Sequence, residues 1–210
     1  MITKDLKKRI YTSLILLLLI TLISSSNTIL VFSLIVLSVL SVLEFINLTN
    51  KIIKNKFYSL ISNLFFVVYI FIFCLFFFYF SNFAHLKVML FSLLLCCVAS
   101  DIGGFVFGKT FKGPKITKIS PNKTYAGSLG SIIFSMVVFS GLMISFTNNF
   151  NYMILIIAII TSTACQFGDL FFSFLKRKAK IKDTGNFLPG HGGILDRLDG
   201  IFLGIPIGFI

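Results

Sequence analysis

The sequence predicts an all-α integral membrane protein of about seven transmembrane helices, with two cytoplasmic loops that carry its chemistry. Three observations predict it. Hydrophobic residues make up 57% of the 210 residues and charged ones 12%, with a mean hydropathy of +0.99, too much apolar surface for so little polar covering in water. The apolar residues gather in runs near the ~20 residues that a spanning helix needs. Finally, 19 Lys and Arg against 7 Asp and Glu give a net charge of +12, and these cations fall on alternate connections between the runs.

The expected spans are 10–24, 29–47, 57–80, 86–107, 128–146, 152–175 and 193–210. The first follows Lys4, Lys7, Lys8 and Arg9 and ends in Ser24, Ser25 and Ser26, a pattern shared with cleavable signal peptides. Only four residues separate it from the second run, which favours a helical hairpin. The last is short and contains Pro206. With these seven spans, 18 of the 19 cations fall on one side and Lys87 alone on the other. The positive-inside rule then places the N-terminus and both long loops in the cytoplasm, in a multi-pass protein of the cell (inner) membrane. Residues 1–100 read as scaffold helices, and 101–210 as a catalytic membrane region with loops 108–127 and 176–199. Cys74, Cys96, Cys97 and Cys165 lie in apolar runs without a C-x-x-C, and read as small buried hydrophobes. Glu44, near the end of the second span, is expected to be interfacial and to pair with Lys51 or Lys54, with a functional role as the second reading.

Five of the seven acids are aspartates after position 100, where a charge in an apolar run needs a partner or a water-filled cavity. Asp101 opens D-I-G-G-F-V-F-G-K, whose Gly103, Gly104 and Gly108 permit close helix packing. Beyond it, Ser120-Pro121 forms a turn, and Lys123 and Thr124 suit phosphate contact; a basic loop facing anionic lipid heads is the plainer alternative. In a helix, Gln166, Asp169, Ser173 and Lys176 or Arg177 share one stripe. Its plainer reading is a helix-stabilising network. A third segment runs from Lys182-Asp183 through Pro189, Gly190, His191, Gly192 and Gly193 to Asp196, Arg197 and Asp199. Glycine amides ahead of a helix can cradle an anion. Asp196 and Asp199 share a face toward which Asp169 could converge, and carboxylates beside lysines suit Mg²⁺ holding nucleotide phosphates.

These residues resemble the phosphatidate cytidylyltransferases, or CDP-diacylglycerol synthases. That family's C-terminal signature is S-x-x-K-R-x4-K-D-x-[GSA]-x2-[LIF]-[PG]-x-H-G-G-x-x-D-R-x-D. Every fixed position is filled here, by Ser173, Lys176, Arg177, Lys182, Asp183, Gly185, Leu188, Pro189, His191, Gly192, Gly193, Asp196, Arg197 and Asp199. Gln166, Gly168 and Asp169 match its Q-x-G-D, and Ser120, Pro121, Lys123, Thr124 and Gly127 its S-P-x-K-T-x-E-G. The resemblance covers about 101–210. Ala126 replaces the usual Glu, Tyr125 a Trp, and Gly104-Phe105 an Ala-Tyr.

The resemblance implies transfer of the cytidylyl group of CTP to phosphatidic acid, giving CDP-diacylglycerol and pyrophosphate in phospholipid biosynthesis. It implies Mg²⁺, with K⁺ beside it, held by Asp169 and Asp196, with Asp101, Asp183 and Asp199 as further metal candidates. Lys176, Arg177, Lys182 and Arg197 would grip phosphates, and Ser120, Lys123, Thr124, Ser173, His191, Gly192 and Gly193 would contact substrate. The partners implied are the two substrates and the bilayer, with room for a homodimer and no nucleic acid. Other classes stay open: an ion-coupled transporter, a CTP-dependent polyprenol or phytol kinase, and an inactive structural protein. The D-G-x2-A-R-x8-G-x3-D-x3-D pattern of CDP-alcohol phosphotransferases is absent.

Overall fold

The computed structural model describes residues 18–117, 120, 123–185, 187 and 192–210. Among them the chain is helical, without a strand: α1 (18–25), α2 (Asn27–Ile52), α3 (Lys56–Ser81), α4 (Ala84–Phe111), α5 (Tyr125–Thr147), α6 (Tyr152–Lys178) and α7 (Leu195–Phe209). The five helices α2 to α6 are long and apolar enough to cross a membrane. At 1.5 Å per residue they run about 35–42 Å, past the ~30 Å hydrocarbon core. The protein is thus all-helical and multi-pass, and five of the expected spans appear as continuous helices. The first expected span lies outside the described residues up to position 17. The seventh is the 15-residue α7, about 22 Å long and below spanning length.

Helix ends follow capping chemistry. The Asn55 side chain accepts from the Phe57 amide at 2.9 Å to start α3. Thr124 accepts from Gly127 at 3.1 Å to start α5. Asn148, left-handed at φ 53°, closes α5 with its amide on Ile144 O at 2.8 Å.

The chain forms two compact units. One comprises Met1–Asn82 with Leu175–Leu198. In it α2 packs on α3, with Phe45 stacked on Phe66 at 3.9 Å and Leu30, Leu48 and Ile70 buried. Thr49 Oγ1 donates to Asn63 Oδ1 at 2.6 Å. The second unit comprises Phe83–Phe174 with Asp199–Ile210. Here α4 and α5 cross at glycine: a Cβ on Gly103 would overlap Gly130 O and Phe134 Cβ, and one on Gly104 would lie 2.6 Å from Ser131 Oγ. The close packing expected of Gly103 and Gly104 is therefore present. Buried Ser100 and Ser162 join α4 to α6 at 2.9 Å. The remainder of α7 sets Gly200, Gly204 and Gly208, each four residues apart, against Cys165, Cys97 and Thr161.

Candidate functional site

In the second unit, α6 lays a polar stripe along an apolar helix. Gln166 Oε1 accepts from Ser128 Oγ at 2.5 Å, tying α6 to α5. One turn on, Asp169 forms an ion pair with Lys123, and Ser173 Oγ donates to Asp169 Oδ1 at 3.4 Å. Lys123 is delivered by a folded connection. Its amide donates to Ser120 O at 3.1 Å, its carbonyl accepts from Ile116 at 3.0 Å, and Lys115 bridges Thr124. Ser120 thus shapes the turn that presents Lys123, and the Thr124 hydroxyl is engaged as the cap of α5. Asp101 sits exposed on α4. The Cys165 thiol lies 4.0 Å from its Oδ1 and within electrostatic reach of Asp169 as well. The first turn of α5 carries no acid, because Ala126 stands there.

In the first unit, Lys176, Thr184 and residues 193–196 gather around two carboxylates, Asp196 and Glu44. Lys176 Nζ donates to Asp196 Oδ1 at 2.7 Å, and their side chains keep only 12% and 6% exposure. Asp196 Oδ2 accepts from the amides of Thr184 at 2.8 Å and Gly193 at 3.0 Å. Burial pushes the Asp196 carboxyl up, but the Lys176 ammonium and the two amides outweigh it and hold the group below its ordinary 3.8. Gly192, at φ 84°, adopts a left-handed conformation that favours glycine. A Cβ there would also lie 3.4 Å from Asp183 Cβ. Arg177, Lys182, Asp183 and Arg197 are exposed, whereas His191 lies outside the described residues. Asp199, in the second unit, is buried, and its Oδ1 accepts its neighbour Gly200's amide at 2.9 Å.

Glu44 was expected beside Lys51 or Lys54, and the structure places it elsewhere. It is buried, with Oε1 on the Ile194 amide at 3.0 Å and Oε2 on the Leu195 amide at 2.9 Å and Thr184 Oγ1 at 2.8 Å. Of the glycine amides read as an anion cradle, that of Gly193 is engaged by Asp196, and Glu44 takes the next two, of Ile194 and Leu195. The signal for Glu44 was present: an acid in an apolar run is rarely idle. Its partners, 140 to 151 residues away, left no trace in local spacing.

Among the described residues, no three His, Cys, Asp or Glu side chains gather to hold a metal. Mg²⁺ asks for less, since one or two carboxylates suffice when phosphate oxygens and water complete the octahedron. Asp169 is the more open carboxylate, with 31% of its side chain exposed, and its Oδ2 faces Lys123 while its Oδ1 accepts from Ser173. Asp196 already accepts from three donors, two on Oδ2 and Lys176 on Oδ1, and is the more enclosed of the two. An apolar groove of about 560 Å³ between α2 and α3, lined by Leu34, Ile35, Val67 and Phe71 among others, includes none of these charged groups.

The family model described as "Cytidylyltransferase family" matches residues 2–210. The chain is 42% identical over 112 residues to the phosphatidate cytidylyltransferase of Helicobacter pylori (strain ATCC 700392 / 26695), a stretch covering 53% of this chain and 42% of that protein. It is 41% identical over 129 residues to the phosphatidate cytidylyltransferase of Rickettsia felis (strain ATCC VR-1525 / URRWXCal2), covering 56% of each. To that of Mycobacterium leprae (strain TN) it is 36% identical over 130 residues, covering 58% of this chain and 42% of the other. The chain spans about half the length of the relatives it matches.

Proposed function

The chain belongs to the cytidylyltransferase family, and from that premise we propose that it transfers the cytidylyl group of CTP to phosphatidic acid. The observation that carries the reading is the complete signature over 173–199, in which Lys176 and Asp196 form one half-buried ion pair. A phosphatidate oxygen attacks the α-phosphorus of CTP and forms the new P–O bond. The bond between the α-phosphorus and the bridging oxygen breaks, and pyrophosphate leaves with the electron pair. The attacking phosphate is already ionised near neutral pH, so no protein base is required.

The work left to the protein is positioning and charge neutralisation. Arg177, Lys182 and Arg197 are exposed cations suited to phosphate oxygens. Lys176, oriented by Asp196, presents a fixed ammonium. Lys123 and Ser173 gather at Asp169 as donors, and His191, Gly192 and Gly193 complete the proposed contacts. Mg²⁺, with K⁺ beside it, would be held first through Asp169, and would supply neutralisation of phosphate charge and polarisation of the α-phosphate. Asp196 is the proposed second ligand and Asp101, Asp183 and Asp199 are further candidates, the last two also suited to orienting cations.

The cations cluster at the α2–α3, α4–α5 and α6–α7 connections. With residues 10–24 as a further crossing, these connections share the cytoplasmic side of the inner membrane with the N-terminus. CTP is found on that side.

The test is an assay on purified protein in lipid nanodiscs with Mg²⁺, CTP and phosphatidic acid. CDP-diacylglycerol and pyrophosphate are expected in equal amounts, and Asp169→Asn should lower kcat/KM about 100-fold or more. A folded wild-type protein that makes no product overturns the reading. Undiminished turnover by the Asn variant removes Asp169 from the site.

A further inference from the structure

We propose that Glu44 is a positioning residue: it fixes Thr184 and the start of α7 at Ile194 and Leu195, and through them the Lys176–Asp196 pair, in the conformation that binds substrate. The inference rests on the transfer reading above, but its evidence is geometric and lies within one unit.

Glu44 belongs to the apolar helix α2 and is 9% exposed. A carboxylate so placed is tolerable only with donors on its oxygens. All three donors come from the signature segment: the Ile194 and Leu195 amides and the Thr184 hydroxyl. The two amides belong to the entry of α7, where backbone donors lack helical partners and the helix dipole favours an anion. Asp196 takes the Gly193 and Thr184 amides from within the segment. Thr184 therefore joins both carboxylates, its amide on Asp196 and its hydroxyl on Glu44. Asp196 in turn holds Lys176 at 2.7 Å. Glu44 is the outer anchor of a chain of contacts that ends on that ammonium.

The glycines of the segment support the same assignment. A Cβ on Gly185 would lie 2.5 Å from Glu44 Oε1, and one on Gly193 would overlap Glu44 Oε2 and Thr184 Oγ1. The backbone closes around the carboxylate too tightly for a side chain at either position. Every donor is neutral, so the carboxylate serves as a double acceptor. Glutamine keeps the shape, but it offers one acceptor oxygen and turns a donor amide toward donors.

The experiment combines hydrogen exchange with kinetics in nanodiscs on wild type, Glu44→Gln, Glu44→Asp and Thr184→Val. In wild type the Ile194 and Leu195 amides should be protected. Glu44→Gln should speed their exchange about 10-fold or more, with α4 and α5 unchanged. It should also raise KM for CTP about 10-fold, because substrate binding must then order the segment. Glu44→Asp should recover part of both effects, and Thr184→Val should show a smaller version of each. Lys51→Ala and Lys54→Ala should leave both measurements at wild-type values. A merely structural Glu44 would lower the active fraction while leaving KM and local exchange in the folded protein unchanged, and that result overturns the proposal. If Glu44→Gln does not fold, Thr184→Val decides alone: wild-type exchange and KM refute the anchor. A wild type that exchanges as expected but forms no CDP-diacylglycerol sinks the transfer reading and leaves the anchoring of Thr184 and the start of α7 standing.

Discussion

Lys176 and Asp196 hold each other as an ion pair whose side chains keep 12% and 6% exposure, so neither is replaceable without loss. Removing one member of such a pair typically costs about 3–5 kcal/mol, because the other charge stays in a poor solvent. Asp196→Asn can keep its one oxygen under the two amides that share Oδ2, but it then turns an amide NH2 toward the Lys176 ammonium and removes the opposing charge. Its thermal unfolding temperature in detergent should drop by several degrees even without substrate. The pH dependence has a definite sign. The folded Asp196 carboxyl sits below its ordinary 3.8, so its contribution is complete above that value and fades as pH falls through the lower folded one. The gap in unfolding temperature between wild type and Asp196→Asn should stay level above about pH 5 and close only below about pH 4. A gap that closes between pH 6 and 8 would mean that another group carries the effect.

The helices show how far apolar runs can be read and where they stop being informative. The runs 29–47, 86–107 and 128–146 became Asn27–Ile52, Ala84–Phe111 and Tyr125–Thr147, each longer than its apolar stretch. Hydropathy marks where the hydrocarbon ends, whereas the backbone ladder continues until a cap such as Thr124 or Asn148 stops it. Thr124 reads as a phosphate contact because a hydroxyl stands beside a lysine, and its oxygen also caps α5 by accepting from the Gly127 amide, a second role that spacing alone does not announce. The aspartates were legible as a group because acids are conspicuous in apolar sequence; which donor each one takes was not, since the 184–196 contacts depend on long-range folding. Glycine was half legible. The Gly103–Gly104 pair announced close packing, but the α7 series Gly200, Gly204 and Gly208 is interpretable only once its neighbours are known. Because a Cβ on Gly103 would meet the backbone carbonyl of Gly130, Gly103→Ala should destabilise by about 1–3 kcal/mol. Gly141, also helical but facing open space, should accept Ala with no loss. Equal melting curves for the two variants would show that α4 and α5 can separate without cost.

At the scale of the whole molecule, topology is the property that joins the charge distribution to the chemistry. Of the connections among α2 to α6, α2–α3 and α4–α5 carry most of the cations, α3–α4 is flanked only by Lys87, and α5–α6 has none. Lys176, Arg177 and Lys178 close α6 at the opposite end from Asn149. At 27 residues α6 measures about 40 Å, so its two ends must emerge on opposite faces of a ~30 Å core if it crosses. Exposed positions allow a direct check, because Cys96, Cys97 and Cys165 are buried and leave little thiol background. Single substitutions Lys54→Cys, His85→Cys, Asn149→Cys and Lys178→Cys, made with Cys74→Ser, should be challenged with a membrane-impermeant maleimide. In intact spheroplasts, 85 and 149 should label while 54 and 178 stay protected, and inside-out vesicles should reverse the pattern. Labelling of 149 and 178 from the same side would mean that α6 does not cross. The polar stripe through Asp169 and Ser173 would then not descend from the CTP-accessible face, and the proposed encounter of a soluble nucleotide with a bilayer lipid would lose its geometry.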